Sequence, residues 1–211
     1  MTRRLILARH GRTAWNHAKR VQGQLDAELD ETGHAQAERL AACVAPLRPD
    51  VLWSSDLTRA AVTASYVAAA TGLEVRTDPR LRECDLGPRQ GLTHDEYAAL
   101  APEEFAQFRL ARYDAVPGAE PTVAVRARMT AAVADLLAAV PPGGLGVAVS
   151  HGAALRMTVA ALLGWPDPAL ETLGPLGNCG WLELVEHPHS DGLALTAYNR
   201  TPDFASRGAV G

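Results

Sequence analysis

The stretch "LILARHGRTAWN" at residues 5–16 runs four apolar residues directly into Arg9, His10 and Gly11, and "GVAVSHG" at 146–152 repeats the arrangement with His151 and Gly152. A neutral imidazole nitrogen is nucleophilic near neutral pH, where hydroxyls keep their protons. A glycine beside it lets backbone N–H groups approach an anion closely. Arg9 adds a guanidinium, and "SSDLTRAAVTA" at 54–64 supplies a second, Arg59, in the first turn of an expected helix whose N-terminus itself favours anions. The planar guanidinium fork can bond two phosphate oxygens at once. Charge-assisted hydrogen bonds contribute roughly 1.5–3 kcal/mol each, so three or four would hold a phosphoryl group without a metal. The chemistry these residues fit is phosphoryl transfer. One histidine attacks phosphorus and the arginines neutralise the equatorial oxygens. A carboxyl group must then protonate the leaving alcohol and later activate water, and Glu83 in "RLRECDLG" is the candidate.

Such a site needs elements that bring distant segments together. Leu5–Ala8, Val51–Ser54, Leu73–Thr77 and Gly146–Ser150 read as short strands. Between them lie expected helices at Thr32–Leu47, from Leu57 with Asp56 as N-cap to Thr71, at Thr122–Val140 and at Ala153–Leu163. "CGWLELVE" and "LALTAYN" alternate and read as two closing strands that supply an antiparallel edge. Strands alternating with helices predict an α/β fold, a mostly parallel sheet flanked by helices on both faces. In such sheets ligands bind outside the carboxyl ends of the strands, so His10 and His151 are expected at one edge. Residues 86–121, with helical pieces at Asp95–Leu100 and Glu103–Arg112, read as an inserted, lid-like segment over one end of a single domain spanning 1–211.

The remaining composition excludes other classes. Net charge is −4 with no basic block, so neither nucleic acid nor an anionic membrane has an electrostatic footprint. No apolar stretch is long enough for a signal peptide or a transmembrane helix, and the three cysteines form no Cys-x-x-Cys pair, so a cytoplasmic location is expected. Cys43–Arg48 and Cys84–Arg89 have the wrong spacing for a cysteine phosphatase, and there is no Gly-x-x-x-x-Gly-Lys loop or Gly-x-Ser-x-Gly elbow. His17, His34, His94, His187 and His189 lack the strand–His–Gly context, and no metal or organic cofactor is implied. The oligomeric state stays open, a homodimer included.

Taken in order, "RHGRTAWN", "RVQGQLDAELDETGHAQAERLA", "SSDLTRAAVTA", "RLRECDLGPRQG" and "SHG" resemble the signatures of the histidine phosphatase superfamily, in its phosphoglycerate mutase-like branch. The resemblance implies that branch's three-layer fold and makes His10 the nucleophile that becomes phosphohistidine. It places Arg9, Arg59 and His151 at the phosphate, Asn16, Gln22 and Gly23 near the substrate, where Gly152 beside His151 is also expected, and Glu83 as general acid/base. Mutases of this branch resemble longer chains with extra closing segments, so hydrolysis of a small phosphomonoester is the first reading and a phosphoglycerate mutase-type phosphotransferase the alternative. A non-catalytic phosphate binder would have lost its nucleophile or its acid, and neither is missing. "VQGQLDAEL", "LRECDLGPRQGLTH" and "LGNCGW" are similar to the phosphatases that act on glucosyl-3-phosphoglycerate, which implies that Gln24 and the Gly177–Asn178 loop shape a sugar side. Three positions depart from the family pattern: Arg12, Arg89 in place of an aromatic, and Pro121 after Glu120.

Overall fold

A computed structural model describes residues 1–187, 189 and 192–202; the end of the expected domain, 203–211, lies outside the described residues. Six strands form one sheet: β1 Arg4–Arg9, β2 Val51–Ser54, β3 Val75–Thr77, β4 Leu145–Ser150, β5 Trp181–Glu186 and β6 Leu193–Arg200, in the order β3-β2-β4-β1-β5-β6. The first four strands in that order are mutually parallel, whereas β5 runs antiparallel to β1 and β6 antiparallel to β5. The expected antiparallel edge is therefore present.

Residues along β1 alternate between two cores, as a strand covered on both faces requires. Leu5 and Leu7 join the buried cluster of Val125, Met129, Val133 and Leu136 from α6 (Thr122–Ala139) and Leu155 from α7 (Gly152–Leu162). Ile6 and Ala8 face the opposite cluster, with Ala37, Leu40 and Val44 from α2 (Glu31–Val44) and Val67 from α3 (Thr58–Thr71). All six residues of β4 are buried, in keeping with a central parallel strand.

The smaller helices were less legible. α1 (Ala14–His17) is a single turn held by a Thr13–Asn16 capping box, and α8 (Asp167–Thr172) follows Pro166; neither carries enough periodicity to be read from the sequence. In the inserted segment, α4 (His94–Leu100) and α5 (Pro102–Arg109) carry Tyr97, Phe105 and Phe108, whose rings pack on one another and on Tyr113. The expected N-cap of α3 is a correction. Asp56 does not cap that helix because Arg82 takes its carboxylate through two charge-assisted hydrogen bonds, at 2.7 and 2.5 Å. Asp26, distant in sequence, accepts from the Thr58 amide at 2.9 Å instead.

The turn carrying His10 rests backbone to backbone on the first turn of α2. A Cβ on Gly33 would lie 1.9 Å from the Arg12 carbonyl oxygen. We expect Gly33→Ala to cost roughly 1–3 kcal/mol, as overpacking of a rigid contact does. Gly174→Ala, where an added Cβ meets nothing within 4 Å, should change little. Urea unfolding of the two variants checks this, and equal stabilities would disprove the close contact.

Candidate active site

β1 and β4 pair with Arg9 opposite Ser150, so His10 and His151 leave the sheet side by side. The His10 amide donates to the Ser150 carbonyl at 3.0 Å, and the two imidazole centroids are 5.2 Å apart. His10 Nδ1 lies 2.7 Å from the Gly11 carbonyl oxygen. A carbonyl can only accept, so Nδ1 carries the ring proton and Nε2 keeps its lone pair. Burial, reinforced by Arg59 and Arg9, holds the His10 pKa well below its ordinary value. The result is a neutral imidazole whose bare nitrogen is Nε2.

His151 is completely buried, and its pKa is likewise driven well down, by burial first and then by Arg59. Its Nε2 lies 2.9 Å from Ser55 Oγ, which also accepts from the Leu57 amide at 3.3 Å. That arrangement assigns the Ser55 proton to His151 Nε2 and the ring proton to Nδ1, which has no hydrogen-bond partner among the described residues. The two histidines thus share the Nδ1–H tautomer and differ in what their Nε2 atoms meet: that of His151 accepts from Ser55, and that of His10 keeps a free lone pair.

Arg59, the second residue of α3, is 1% exposed. Its guanidinium donates to the carbonyls of Gly23 (2.6 Å) and Leu25 (2.8 Å), and burial lowers its pKa to about 10. The loop at 22–26 is therefore tied to α3 twice, by Arg59 and by the Asp26 cap. It also needs Gly23: φ is +53°, and a Cβ there would fall 1.9 Å from Gln90 Oε1. Arg9 donates to the Leu176 carbonyl at 2.5 Å, and burial lowers its pKa too. The Nε atoms of Arg9 and Arg59 and Oε1 of Gln22 are buried without a partner among the described residues.

Glu83 is part of the same cavity lining, on the loop after β3. Its carboxylate accepts from the backbone amides of Ala153 (3.0 Å) and Ala154 (2.7 Å) in the first turn of α7, and from Cys84 N–H at 3.0 Å. An acid at a helix N-terminus satisfies orphan donors and meets the positive end of the helix dipole. Asn16 commits its Oδ1 to the Thr13 amide, the Thr13 hydroxyl and Asn178 Nδ2, which leaves its own Nδ2 as the donor it can offer a ligand.

These groups surround a cavity of about 480 Å³ whose wall includes Arg9, His10, Asn16, Gln22, Gly23, Arg59, Glu83 and Gly152. Eight of the nine sequence-predicted residues are thus brought together in one wall, and the ninth, His151, stands behind His10. The wall also includes Lys19, His94, Phe108, Arg109, Tyr113 and Arg156, none of which the sequence had marked as functional. Lys19 and the four residues of the inserted segment lie where no motif marks them, and Arg156 stands inside α7, one turn beyond the His-Gly motif. Two braces were also missed: Ser55 behind His151, and Thr63, whose hydroxyl accepts from Gly11 N–H and donates to the Arg59 carbonyl.

Other residues singled out in the sequence lie just outside the wall. Gln24 and Asn178 brace it: Gln24 Nε2 donates to the Glu83 carbonyl, and Asn178 Nδ2 to the His10 carbonyl and to Asn16 Oδ1. Arg12 pairs with Asp30 and donates to Thr32. Arg89 replaces an aromatic contact with a two-pronged ion pair to Glu104, which also accepts from Tyr97 OH.

A doubly covered, mostly parallel sheet that ends in this pocket defines a phosphoryl-handling α/β protein. The chain belongs to the histidine phosphatase superfamily (branch 1), whose family model matches residues 5–201. It is 42% identical over 198 residues to a glucosyl-3-phosphoglycerate phosphatase of Mycobacterium tuberculosis, covering 90% of this chain and 89% of that protein. It is 39% identical to a probable phosphoglycerate mutase of Yersinia pestis, covering 90% and 87%. A solved structure of a mycobacterial glucosyl-3-phosphoglycerate phosphatase in complex with VO3 superposes with a TM-score of 0.89 at 40% identity, covering 94% of this chain and all of that one. Among the described residues no helix is long and apolar enough to cross a membrane.

The buried neutral histidines carry a pH signature. Above pH 6.5, their ordinary pKa, neither state binds the proton; below it the unfolded chain does and the folded one does not. Stability should therefore fall as pH drops below 6.5, by at most about 1.4 kcal/mol per pH unit for each histidine. His94, also shifted down by burial, adds to this. The depressed carboxylates Asp56, Asp78 and Glu120 matter only at pH values below their ordinary 3.8 to 4.5. Urea unfolding between pH 7.5 and 5 should show a shallower decline for His10→Asn than for the wild type. Parallel declines would mean that His10 is charged in the folded protein.

Proposed function

We propose that this protein is a metal-independent phosphomonoesterase that works through a phosphohistidine on His10. The observation that carries the reading is that a neutral, Gly11-locked His10 and Glu83 line one pocket together with Arg9 and the buried Arg59. His10 Nε2 forms a bond to phosphorus as the bond from phosphorus to the substrate oxygen breaks, and the Glu83 carboxyl donates its proton to that oxygen. In the second step Glu83 takes a proton from water, the water oxygen bonds to phosphorus, and the N–P bond breaks to release inorganic phosphate and neutral His10. Arg9 and Arg59 neutralise the equatorial oxygens, and His151 donates from Nδ1. Asn16, Gln22, Gly23 and Gly152 line the substrate's path.

The substrate we assign is glucosyl-3-phosphoglycerate, on the strength of the relatives bearing that activity in their names. Lys19 and Arg109 in the cavity wall support an anionic phosphoglycerate derivative. Residues 86–121 act as a lid on a single domain, supported by the placement of His94, Phe108, Arg109 and Tyr113 along the cavity. The buried thiols of Cys84 and Cys179 fit a reducing, cytoplasmic compartment. A mutase-type phosphotransferase is the second reading, favoured by the Yersinia pestis relative.

Phosphate release from glucosyl-3-phosphoglycerate, 3-phosphoglycerate and an aryl phosphate tests both readings. Wild type should release phosphate most rapidly from the glucosyl compound, and His10→Ala should reduce release to background. An isomer in place of free phosphate from 3-phosphoglycerate would transfer the assignment to the mutase. Glu83→Gln should lose about 10²–10⁴-fold on the alkyl esters and far less on an activated aryl phosphate. Equal losses on both would remove Glu83 from proton transfer.

A further inference from the structure

Glu83 sits on a loop with little regular structure of its own, a single 3₁₀ turn at Pro79–Leu81. The carbonyls of its residues 80–83 are nevertheless all taken. The carbonyls of Arg80, Arg82 and Glu83 accept from Arg128 at 2.8, 2.7 and 3.0 Å, and that of Leu81 accepts from Ser150 Oγ at 2.7 Å. One guanidinium thus holds three of four successive carbonyls. Its remaining donors reach the Glu120 carboxylate, from Nε at 2.7 Å and Nη2 at 2.8 Å. Arginine has five N–H donors in a fixed planar fork, and here all five are used.

Arg128 projects from a rigid base, since Val125, Met129 and Ala132 of the same helix are completely buried. Glu120 closes the neck of the inserted segment: its amide donates to the Asp85 carbonyl at 2.8 Å, and its carboxylate accepts from Asp85 N–H at 3.3 Å. Arg128 itself is not in the cavity wall and none of its hydrogen bonds goes to a histidine, although its charge, which lysine would retain, adds a little to the lowering of the His151 pKa. Its bonds end on the backbone of the residue that supplies the acid.

We infer that Arg128, with Glu120 as its counter-ion, is a positioning residue that sets the Glu83 carboxylate against the first turn of α7 and thereby controls proton transfer to the leaving group. The inference rests on the phosphatase reading for its kinetic consequence, though not for its structural one. A lysine has three donors on a point charge and cannot span three carbonyls and a carboxylate at once. A displacement of about 1 Å at a reacting group can cost roughly 10²-fold in rate.

The test compares Arg128→Lys, Glu120→Gln, Glu83→Gln and the double variant Arg128→Lys/Glu83→Gln on an alkyl and an activated aryl phosphate. Arg128→Lys should lower kcat on the alkyl ester by roughly 10²-fold, much less on the aryl ester, with KM nearly unchanged. In the Glu83→Gln background the same substitution should have little further effect, because its action passes through Glu83. Equal losses on both esters, or losses that multiply in the double variant, would overturn the inference. Should Arg128→Lys fail to fold, Glu120→Gln keeps the guanidinium and must give the same leaving-group pattern at smaller size.

Amide hydrogen exchange provides a readout that needs no activity. Ala153 and Ala154 N–H, held by the Glu83 carboxylate, should exchange faster in Arg128→Lys, while the β4 amides stay protected. Unchanged exchange at Ala153 and Ala154 would overturn the positioning role. An absence of phosphate release by the wild type would sink the phosphatase reading alone, and the exchange result would still decide this one.

Discussion

Two guanidinium groups, the half-buried Arg9 and the buried Arg59, meet at the carboxyl edge of the sheet, and among the described residues backbone carbonyls rather than carboxylates accept their hydrogen bonds. Burying an uncompensated charge costs several kcal/mol even after relaxation, and the surrounding chain is arranged to lower that cost. Backbone carbonyls of Gly23, Leu25 and Leu176 accept from the two forks. These carbonyls belong to loops with no regular structure of their own, so the arginines determine the shape of those loops as much as the loops house the arginines. Burial, reinforced by the same positive field, keeps both histidines neutral. Glu83 is the acidic group that acts on both cations from within the protein, and a phosphate dianion would add a directly bonded negative partner.

The sheet topology turns a local motif into a site. β4 inserts between β2 and β1, so two strands ending in His-Gly lie next to each other although they are distant in sequence. Parallel pairing with Arg9 opposite Ser150 sends both histidines out of the same edge. A slip of one residue would turn one of them to the other face of the sheet. The acid reaches the pocket through a different device, the N-terminus of α7, where two free amides and the helix dipole hold the Glu83 carboxylate.

The places where the chain departs from its family's usual pattern are resolved by polar contacts inside the protein. Arg12 is neutralised by Asp30, and Arg89 by Glu104. Glu120 keeps its function in the neck despite Pro121, because the bonds that matter run through its carboxylate and its own amide rather than through the next residue. The correction at Asp56 follows the same logic. A local Asp before a helix is a good N-cap until a nearer cation takes it, and Arg82 does so.

The amino-acid sequence alone determined the sheet-and-helix order, because buried strands and amphipathic helices leave periodic apolar patterns that can be read over a few residues. It also marked His10, His151, Arg9, Arg59 and Glu83, because each stands at a strand end, a helix start or a loop that such patterns delimit. Asn16, Gln22 and Gly23 needed the family resemblance. Only the tertiary structure decided which nitrogen of each histidine bears the proton, that Asp26 rather than Asp56 caps α3, that Gln24 and Asn178 brace instead of lining, and that Arg128 holds the acid's loop. These are single polar contacts between side chains and backbone groups far apart in sequence. A contact of that kind has no period and no local signature; it exists only once packing has brought a donor within about 3 Å of its acceptor.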